Sequence, residues 1–515
     1  MSSEVFAAID VGSYEMALKV FELSAGKGVK ELDHVRHRLD IGSETYATGR
    51  ISHRHVEEII RILLDFKNIM KSYDVTHYQA YGTSAIRETK DIEVVKELIE
   101  QRTGIHIDVL SNSEQRFLDY KSIALKYDQF ESLISRPTAI VDIGGGSIQI
   151  SLFEKDTLVA TQNLKTGVLR IHSTMKEVHA TRLKYMDLVS ELVNSQLYVF
   201  AKMYLKDRGV ENIILIDDYV SPLIQRLNQG LEKEGCATRE EYFKFIKQAN
   251  STSEIEVGKK LNIPEENVPL LYVSGVLIKC ILEATNASSI WAPGITLCDG
   301  IAYEYAEKRN FIKSPHDFEQ DIIACAKNIS KRFMGSKSRR ETLQRIALTI
   351  FDNTRDYHGL SKRDRLLLQI SSILHDCGKY ISMVNLGDCS YNIIMSTEII
   401  GLSHAERLMV ANIVRFNHEI FEYYDSTSPF TKGLSMEEYL RVAKLTAILR
   451  IANGLDRTHK QKFKDVKVFI KDNDLIINVD TRDDITLEKG LFSNRASFFE
   501  EVFGLRPVIR QKKML

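Results

Sequence analysis

The sequence has few of the residues that cross-link, stiffen or interrupt a chain. Its six cysteines (Cys236, Cys280, Cys298, Cys325, Cys377 and Cys389) form no C-x-x-C pair, which argues against a zinc ribbon or a disulfide framework and for reduced, mostly buried thiols. Eight prolines and 27 glycines leave little room for long disordered linkers. No apolar run reaches the roughly 18 to 20 residues of a membrane span, and the opening MSSEVFAAIDVG lacks the basic and apolar regions of a signal peptide. A cytoplasmic location without a membrane partner is therefore expected. Net charge is −1, so any polyanion site must come from local clustering of basic residues. What remains is an ordinary globular composition, 44% hydrophobic and 27% charged, in 515 residues, enough for about three or four domains.

The chain opens on an apolar strand, Val5 to Ile9, turns at Asp10-Val11-Gly12-Ser13 and returns as Met16 to Leu23, a hairpin with acidic and small residues in its turn. Asp33 to Asp40 reads as a further strand. Ser52 to Tyr73 reads as a helix with Val56, Ile59, Ile60, Leu63, Leu64 and Phe66 in phase. The short apolar stretch Tyr78 to Tyr81 leads into Gly82-Thr83-Ser84-Ala85-Ile86-Arg87. The pattern then restarts: strand Thr138 to Val141, glycine turn Asp142 to Ser147, strand Ile148 to Phe153. Two such units imply two halves of similar build. After Leu183 the chain reads as mostly helical to about Glu307, around a buried strand at Asn212 to Ile216. Beyond Phe311 strand signals vanish, and Ser361/Asp364, Ser403/Glu406 and Ser435/Glu438 stand at capping-box spacing in an all-helical domain. Alternation returns from Val466 to Val479, a small α+β piece.

Asp142-Ile143-Gly144-Gly145-Gly146-Ser147 carries the most chemistry. Adjacent glycines let the backbone approach a ligand and aim several N–H groups at one point, an anion nest. Asp142, at the end of a strand beside it, suits Mg2+ held directly or through water. The plain alternative is a glycine-rich hairpin turn; the flanking strands and the second turn at Asp10 to Ser13 favour phosphate binding.

Paired turns of this kind resemble those of the actin, Hsp70 and sugar-kinase fold. The motifs resemble more closely the exopolyphosphatase and guanosine pentaphosphate phosphatase family, whose D-x-G-S-N-S, G-T-x-A-x-R, S-x-x-E-E-A and D-I-G-G-G-S-T-E stand here as Asp10 to Glu15, Gly82 to Arg87, Ser111 to Arg116 and Asp142 to Gln149. Ala452 to Lys462 also looks like a family signature. The resemblance implies an α/β, two-domain actin-like phosphatase module (1–125 and 126–308), then a helical HD-like domain (309–462) and a small α+β C-terminal domain (463–515). It implies hydrolysis of terminal phosphate from inorganic polyphosphate, with guanosine penta- or tetraphosphate as a related ligand, in a cytoplasmic homodimer. The implied roles are Glu114 as general base, Arg87 as a phosphate clamp, Gly12, Ser13, Thr83, Gly144, Gly145, Gly146 and Ser147 as phosphate-binding groups, and Asp10 and Asp142 as Mg2+ ligands. By its own spacing Glu114 also completes a capping box with Ser111, and Arg87 stands near Glu88 and Asp91 as ion-pair partners.

The chain departs from the family pattern inside the expected cleft. Tyr14-Glu15 replace Asn and Ser or Thr, and Gln149 replaces a Glu expected at the metal. Asp217-Asp218-Tyr219 stand where a third Gly-Gly-Thr loop is usual, and Cys298-Asp299-Gly300 where Arg-Glu-Gly is usual. These changes keep a second reading open, a weakly catalytic sensor of polyphosphate or guanosine nucleotide. In the helical domain His375-Asp376, with His358 and Asp456 as outer candidates, resemble the His…His-Asp…Asp ligands of HD phosphohydrolases and suit Mn2+, Fe2+ or Mg2+; the alternative is a histidine packed in the core. Basic runs (Lys327, Lys331, Arg332, Lys337, Arg339, Arg340 and Arg345; Arg457, Lys460, Lys462 and Lys464) read as solvated helix faces or as a polyphosphate track. Nucleic acid is not expected, because aromatic residues do not alternate with the basic ones.

Overall fold

The computed structural model describes residues 3–127, 130–179, 182–206, 208–227, 235–250, 254–261, 267–314, 316–425, 427–456, 460–463 and 466–511. They divide into two compact units, Met1–Phe318 and Glu319–Leu515. Arg457, Thr458, His459 and Lys464, from the signature and basic run read above, lie outside the described residues.

The first unit repeats one plan twice. β1 (Ser3–Val11), β2 (Glu15–Ser24), β3 (Gly28–Arg38), β4 (His77–Gly82) and β5 (Asp108–Val109) form a sheet in the order β3-β2-β1-β4-β5. β6 (Thr138–Ile143), β7 (Ile148–Glu154), β8 (Thr157–Leu164), β9 (Asn212–Asp217), β10 (Cys236–Thr238) and β11 (Ser289–Trp291) form a second, in the order β10-β11-β9-β6-β7-β8. β1 pairs antiparallel with β2 and parallel with β4, just as β6 pairs with β7 and β9. Each half is thus an antiparallel hairpin extended by a parallel crossover, and the two strand-turn-strand units read from sequence are its equivalent centres. β8, β10 and β11 were not legible in the sequence.

Both faces of the first sheet are covered. Ala7, Ile9 and Val11 point toward helix His53–Ser72, whose Val56, Ile59, Ile60, Leu63 and Phe66 are buried. Phe6 and Ala8 point the other way, into a cluster with Leu118, Cys298, Ile301 and Ala302. Helices Asn112–Lys126 and Leu297–Lys308 therefore lie on the face opposite the long helix. The second sheet packs on helix Val268–Thr285, which by length and composition alone would cross a membrane but is mostly buried in this core.

In the second unit, helices Lys337–Asn353, Lys362–Leu374, Leu386–Ser396, His404–His418 and Met436–Leu455 precede a small sheet, β12 (Val466–Lys471), β13 (Asp474–Val479) and β14 (Arg506–Gln511), joined by helix Thr486–Phe503. The capping boxes at Ser361, Ser403 and Ser435 all form. His375 caps the end of helix Lys362–Leu374 and does not lie within it.

Candidate active site

β1 and β6 end in turns of the same construction. Gly12 N–H donates to the Glu15 carbonyl at 3.0 Å, and Gly144 N–H donates to the Ser147 carbonyl at 3.0 Å. A Cβ on Gly12 would stand 2.6 Å from that Glu15 oxygen, so the turn requires glycine. The turns face a cavity of about 470 Å³, whose lining includes Asp10, Gly12, Ser13, Thr83, Asp142, Gly144, Gly145, Gly146 and Ser147. Every phosphate-binding and Mg2+ residue expected in this unit is thereby brought to one place.

The two turns are fastened to each other. Ser13 Oγ lies 2.7 Å from Tyr46 Oη and accepts the Ala85 N–H at 3.2 Å. A Cβ on Gly146 would fall 2.3 Å from Ser84 Oγ and 2.4 Å from Tyr46 Oη. Arg170 Nε donates to the Gly146 carbonyl at 2.9 Å, and its guanidinium also pairs with Glu88. The Arg87 guanidinium bonds the Leu110 carbonyl and Asn112 Oδ1. Arg87 does not line the cavity, although its charge reaches Asp142 and lowers that carboxyl's pKa.

Acidic charge dominates the floor. Burial, then Asp218, pushes Asp142 up to about 7, with Arg116 opposing. Burial, Asp218, Glu15 and Asp142 hold Asp10 well above the usual carboxylate range. Burial, Asp142 and Asp10 do the same to Asp119. Such crowding favours a counter-cation. Asp10 Oδ1 is a buried acceptor without a hydrogen-bond partner. With Asp142 it offers hard oxygen donors that fit Mg2+, an ion that draws its remaining ligands from water and substrate phosphate. Among the described residues no group of three His, Cys, Asp or Glu side chains is arranged to hold a metal.

The departures read from sequence acquire partners. Glu15 pairs with Arg36, and Tyr14 hydrogen-bonds Asn267. Asp217 turns inward: its Oδ1 accepts the N–H groups of Tyr219 (2.9 Å), Val220 and Ser221 (3.2 Å), and its Oδ2 accepts Ser274 Oγ–H at 2.6 Å. Where a third loop would offer amides to phosphate, this chain's own carboxylate takes them. Gln149 Oε1 accepts from Arg116 Nε at 2.9 Å, so a guanidinium stands beside the position that lost a carboxylate. Asp299 is removed from the cleft chemistry by a buried ion pair with Lys19 Nζ at 3.0 Å.

Glu114 requires a correction. Its Oε2 accepts the Ser111 N–H at 2.9 Å while Ser111 Oγ accepts the Glu114 N–H at 3.2 Å, a completed capping box. It does not line the cavity; Gln115 and Asp119 do. The first Glu of the S-x-x-E-E-A pattern is thus consumed by the helix terminus, and the second, which turns to the cleft, is glutamine in this chain. Asp119 went unread in the sequence, although its position four residues beyond Gln115 puts it on the same helical face.

Matches to known proteins follow this geometry. The model of the Ppx/GppA phosphatase family matches residues 20–308, and that of Ppx/GppA phosphatase, domain III, matches 324–495. The chain belongs to the Ppx/GppA phosphatase family. It is 22% identical over 455 residues to a guanosine-5'-triphosphate,3'-diphosphate pyrophosphatase of Vibrio atlanticus, covering 87% of each chain. It is 25% identical over 143 residues to exopolyphosphatase 1 of Mycobacterium bovis, covering 28% of this chain and 40% of that one. A crystal structure of an exopolyphosphatase from Cytophaga hutchinsonii shares the fold, with a TM-score of 0.51 and 17% identity over 59% of this chain and 98% of that one.

Among the described residues no group of three His, Cys, Asp or Glu side chains forms the HD-type metal centre expected in the domain III segment. Both ring nitrogens of His358 are engaged, Nε2 with the Phe351 carbonyl at 3.0 Å and Nδ1 with the Leu360 N–H at 2.8 Å. His375 Nδ1 bonds the Ser372 carbonyl at 2.9 Å, and burial lowers this imidazole to about 3, so it is neutral. Asp376 Oδ2 lies 3.3 Å from Arg339 and 3.5 Å from Lys379, and Asp456 Oδ1 accepts the Gln461 N–H at 3.0 Å. The cation beside Asp376 is the Arg339 guanidinium, which also donates to Asn453 at 3.3 Å, while His375 Nε2 lies 3.7 Å from Asp376 Oδ2. Arg339 and Arg340 are buried while Lys337 is exposed, so the basic run does not form one continuous face.

Proposed function

We propose that this chain hydrolyses the terminal phosphoanhydride bond of inorganic polyphosphate or of the triphosphate end of guanosine pentaphosphate. The observation that carries this reading is the pair of glycine turns opposed across one cavity, each with an aspartate at its strand end. The family match supports the phosphatase activity, and the names of the relatives support these two substrate classes.

Phosphate oxygens would meet the amides of Gly144 to Ser147 and of Gly12 and Ser13, with the Thr83 and Ser147 hydroxyls beside them. Asp10 and Asp142 would hold Mg2+, which when bound neutralises charge on the transferring phosphoryl group. The glycines admit the ligand's close approach; the fastening through Tyr46, Ser84 and Arg170 keeps both turns in register without reorganisation during reaction.

The test is phosphate release from long-chain polyphosphate and from guanosine pentaphosphate, in Mg2+ and in EDTA. Release that needs Mg2+ and falls in Asp10→Asn supports the reading; release indifferent to both refutes it. Gln115 and Gln149, amides where the family motifs carry carboxylates, favour the second reading, a binding protein with little turnover. Tight binding of either ligand without release would establish that alternative.

A further inference from the structure

Hydrolysis needs a group that takes a proton from the attacking water, and most of the cleft's acidic side chains are committed elsewhere. Glu15 pairs with Arg36. Asp217 accepts from the amides of residues 219 to 221 and from Ser274. Glu114 closes the capping box of its helix outside the cavity, and the amide of Gln115 has no useful proton affinity near neutral pH. Asp10 and Asp142 end the two central strands, where the cation is read above. Asp218 is exposed.

Asp119 remains. It lies one turn beyond Gln115 on helix Asn112–Lys126, lines the same cavity and is 3% exposed. Asp10, Asp142 and both glycine turns line that cavity with it, so Asp119 shares the space where a terminal phosphate would sit. The helix is a rigid platform, since Leu118, which flanks Gln115 and Asp119, is buried against the first sheet's core. A residue that faces the cleft at position 115 is followed by another at 119, because four residues advance a helix by about one turn.

We propose that Asp119 is the general base of this protein, performing one helical turn along the task that a carboxylate at position 115 would perform. The proposal rests on the phosphatase reading given above. In the step, the water oxygen forms a bond to the terminal phosphorus while the bond from that phosphorus to the bridging oxygen breaks. The electron pair leaves with the bridging oxygen, and the water proton passes to the Asp119 carboxylate and from there to solvent. The products are orthophosphate and a chain shorter by one phosphate.

Turnover and polyphosphate binding of the full chain in Mg2+ are measured for wild type, Asp119→Asn, Asp119→Asn with Gln115→Glu, and Glu114→Gln. A missing general base costs about 100-fold or more in kcat. The expected result is such a loss in Asp119→Asn with binding within about threefold, recovery of at least about tenfold when Gln115→Glu is added, and a Glu114→Gln variant within about twofold of wild type. The recovery is a readout that a merely structural role would not move. Asp119→Asn turning over within about threefold of an active wild type, losing its binding, or showing no recovery in the double variant overturns the base assignment and leaves the phosphatase reading standing. A wild type that binds without releasing phosphate refutes that reading itself, and the base assignment with it.

Discussion

Asp142 offers a quantitative test of the acidic floor, because its neutralisation should stabilise the protein while harming its chemistry. Burial and Asp218 raise this carboxyl from 3.8 to about 7. By linkage that rise corresponds to about 4 kcal/mol of destabilisation once the group is ionised in the folded state. Asp10 and Asp119 share the same field and take up part of any relief, so Asp142→Asn is expected to gain about 2 kcal/mol at pH 8 in EDTA. The sign follows from proton counting. Between pH 4 and 7 the unfolded chain has released this proton and the folded chain has not, so wild-type stability falls as pH rises through that window. The variant lacks the group, and its advantage should be less than half developed near pH 5 and full near pH 8. Urea unfolding followed by the single tryptophan, Trp291 on β11, reports the half of the molecule that carries Asp142. Mg2+ should restore much of the wild-type deficit and do little for the variant. A variant no more stable than wild type at pH 8, or equally advantaged at pH 5 and pH 8, would refute the reasoning.

Other perturbations test separate parts of the structure. Lys19→Met leaves Asp299 buried without its principal cation and should cost about 3 kcal/mol in urea unfolding. Gly146→Ala drives a methyl group to within 2.3 Å of Ser84 Oγ, so orthophosphate binding by calorimetry should weaken about tenfold while far-ultraviolet circular dichroism stays unchanged. Arg339→Met removes the more buried of the two cations beside Asp376 and should cost about 2 kcal/mol by scanning calorimetry, with no recovery on adding Mn2+; a recovery would mean that a metal centre can form there.

Much of the fold was legible because it is written locally. The apolar runs of β1, β2, β6 and β7 and the glycines between them specify two hairpins whatever surrounds them, and the serines at 361, 403 and 435 mark helix starts through bonds that close within one turn. The short β10 and β11, at three residues each, have no periodicity to read and exist only because they pair with each other and with β9. The candidate site divides in the same way. The turns that cradle phosphate could be named from sequence, since an amide nest is a property of the local backbone.

Which acidic side chains face the cavity could not be read. Glu114 and Gln115 are neighbours with the same motif credentials, and only the packing of Leu118 against the first sheet's core turns position 115, and with it Asp119, inward. Tertiary structure likewise decided that Asp217 satisfies its own loop, and that Arg339 stands beside Asp376 where a metal was expected. The sequence by itself determined the two glycine turns and the family; the tertiary structure decided the roles of the charges around them. The physical reason is range: a turn is settled within a few residues, whereas Lys19 meets Asp299 across 280 positions, and nothing in either neighbourhood foretells the other.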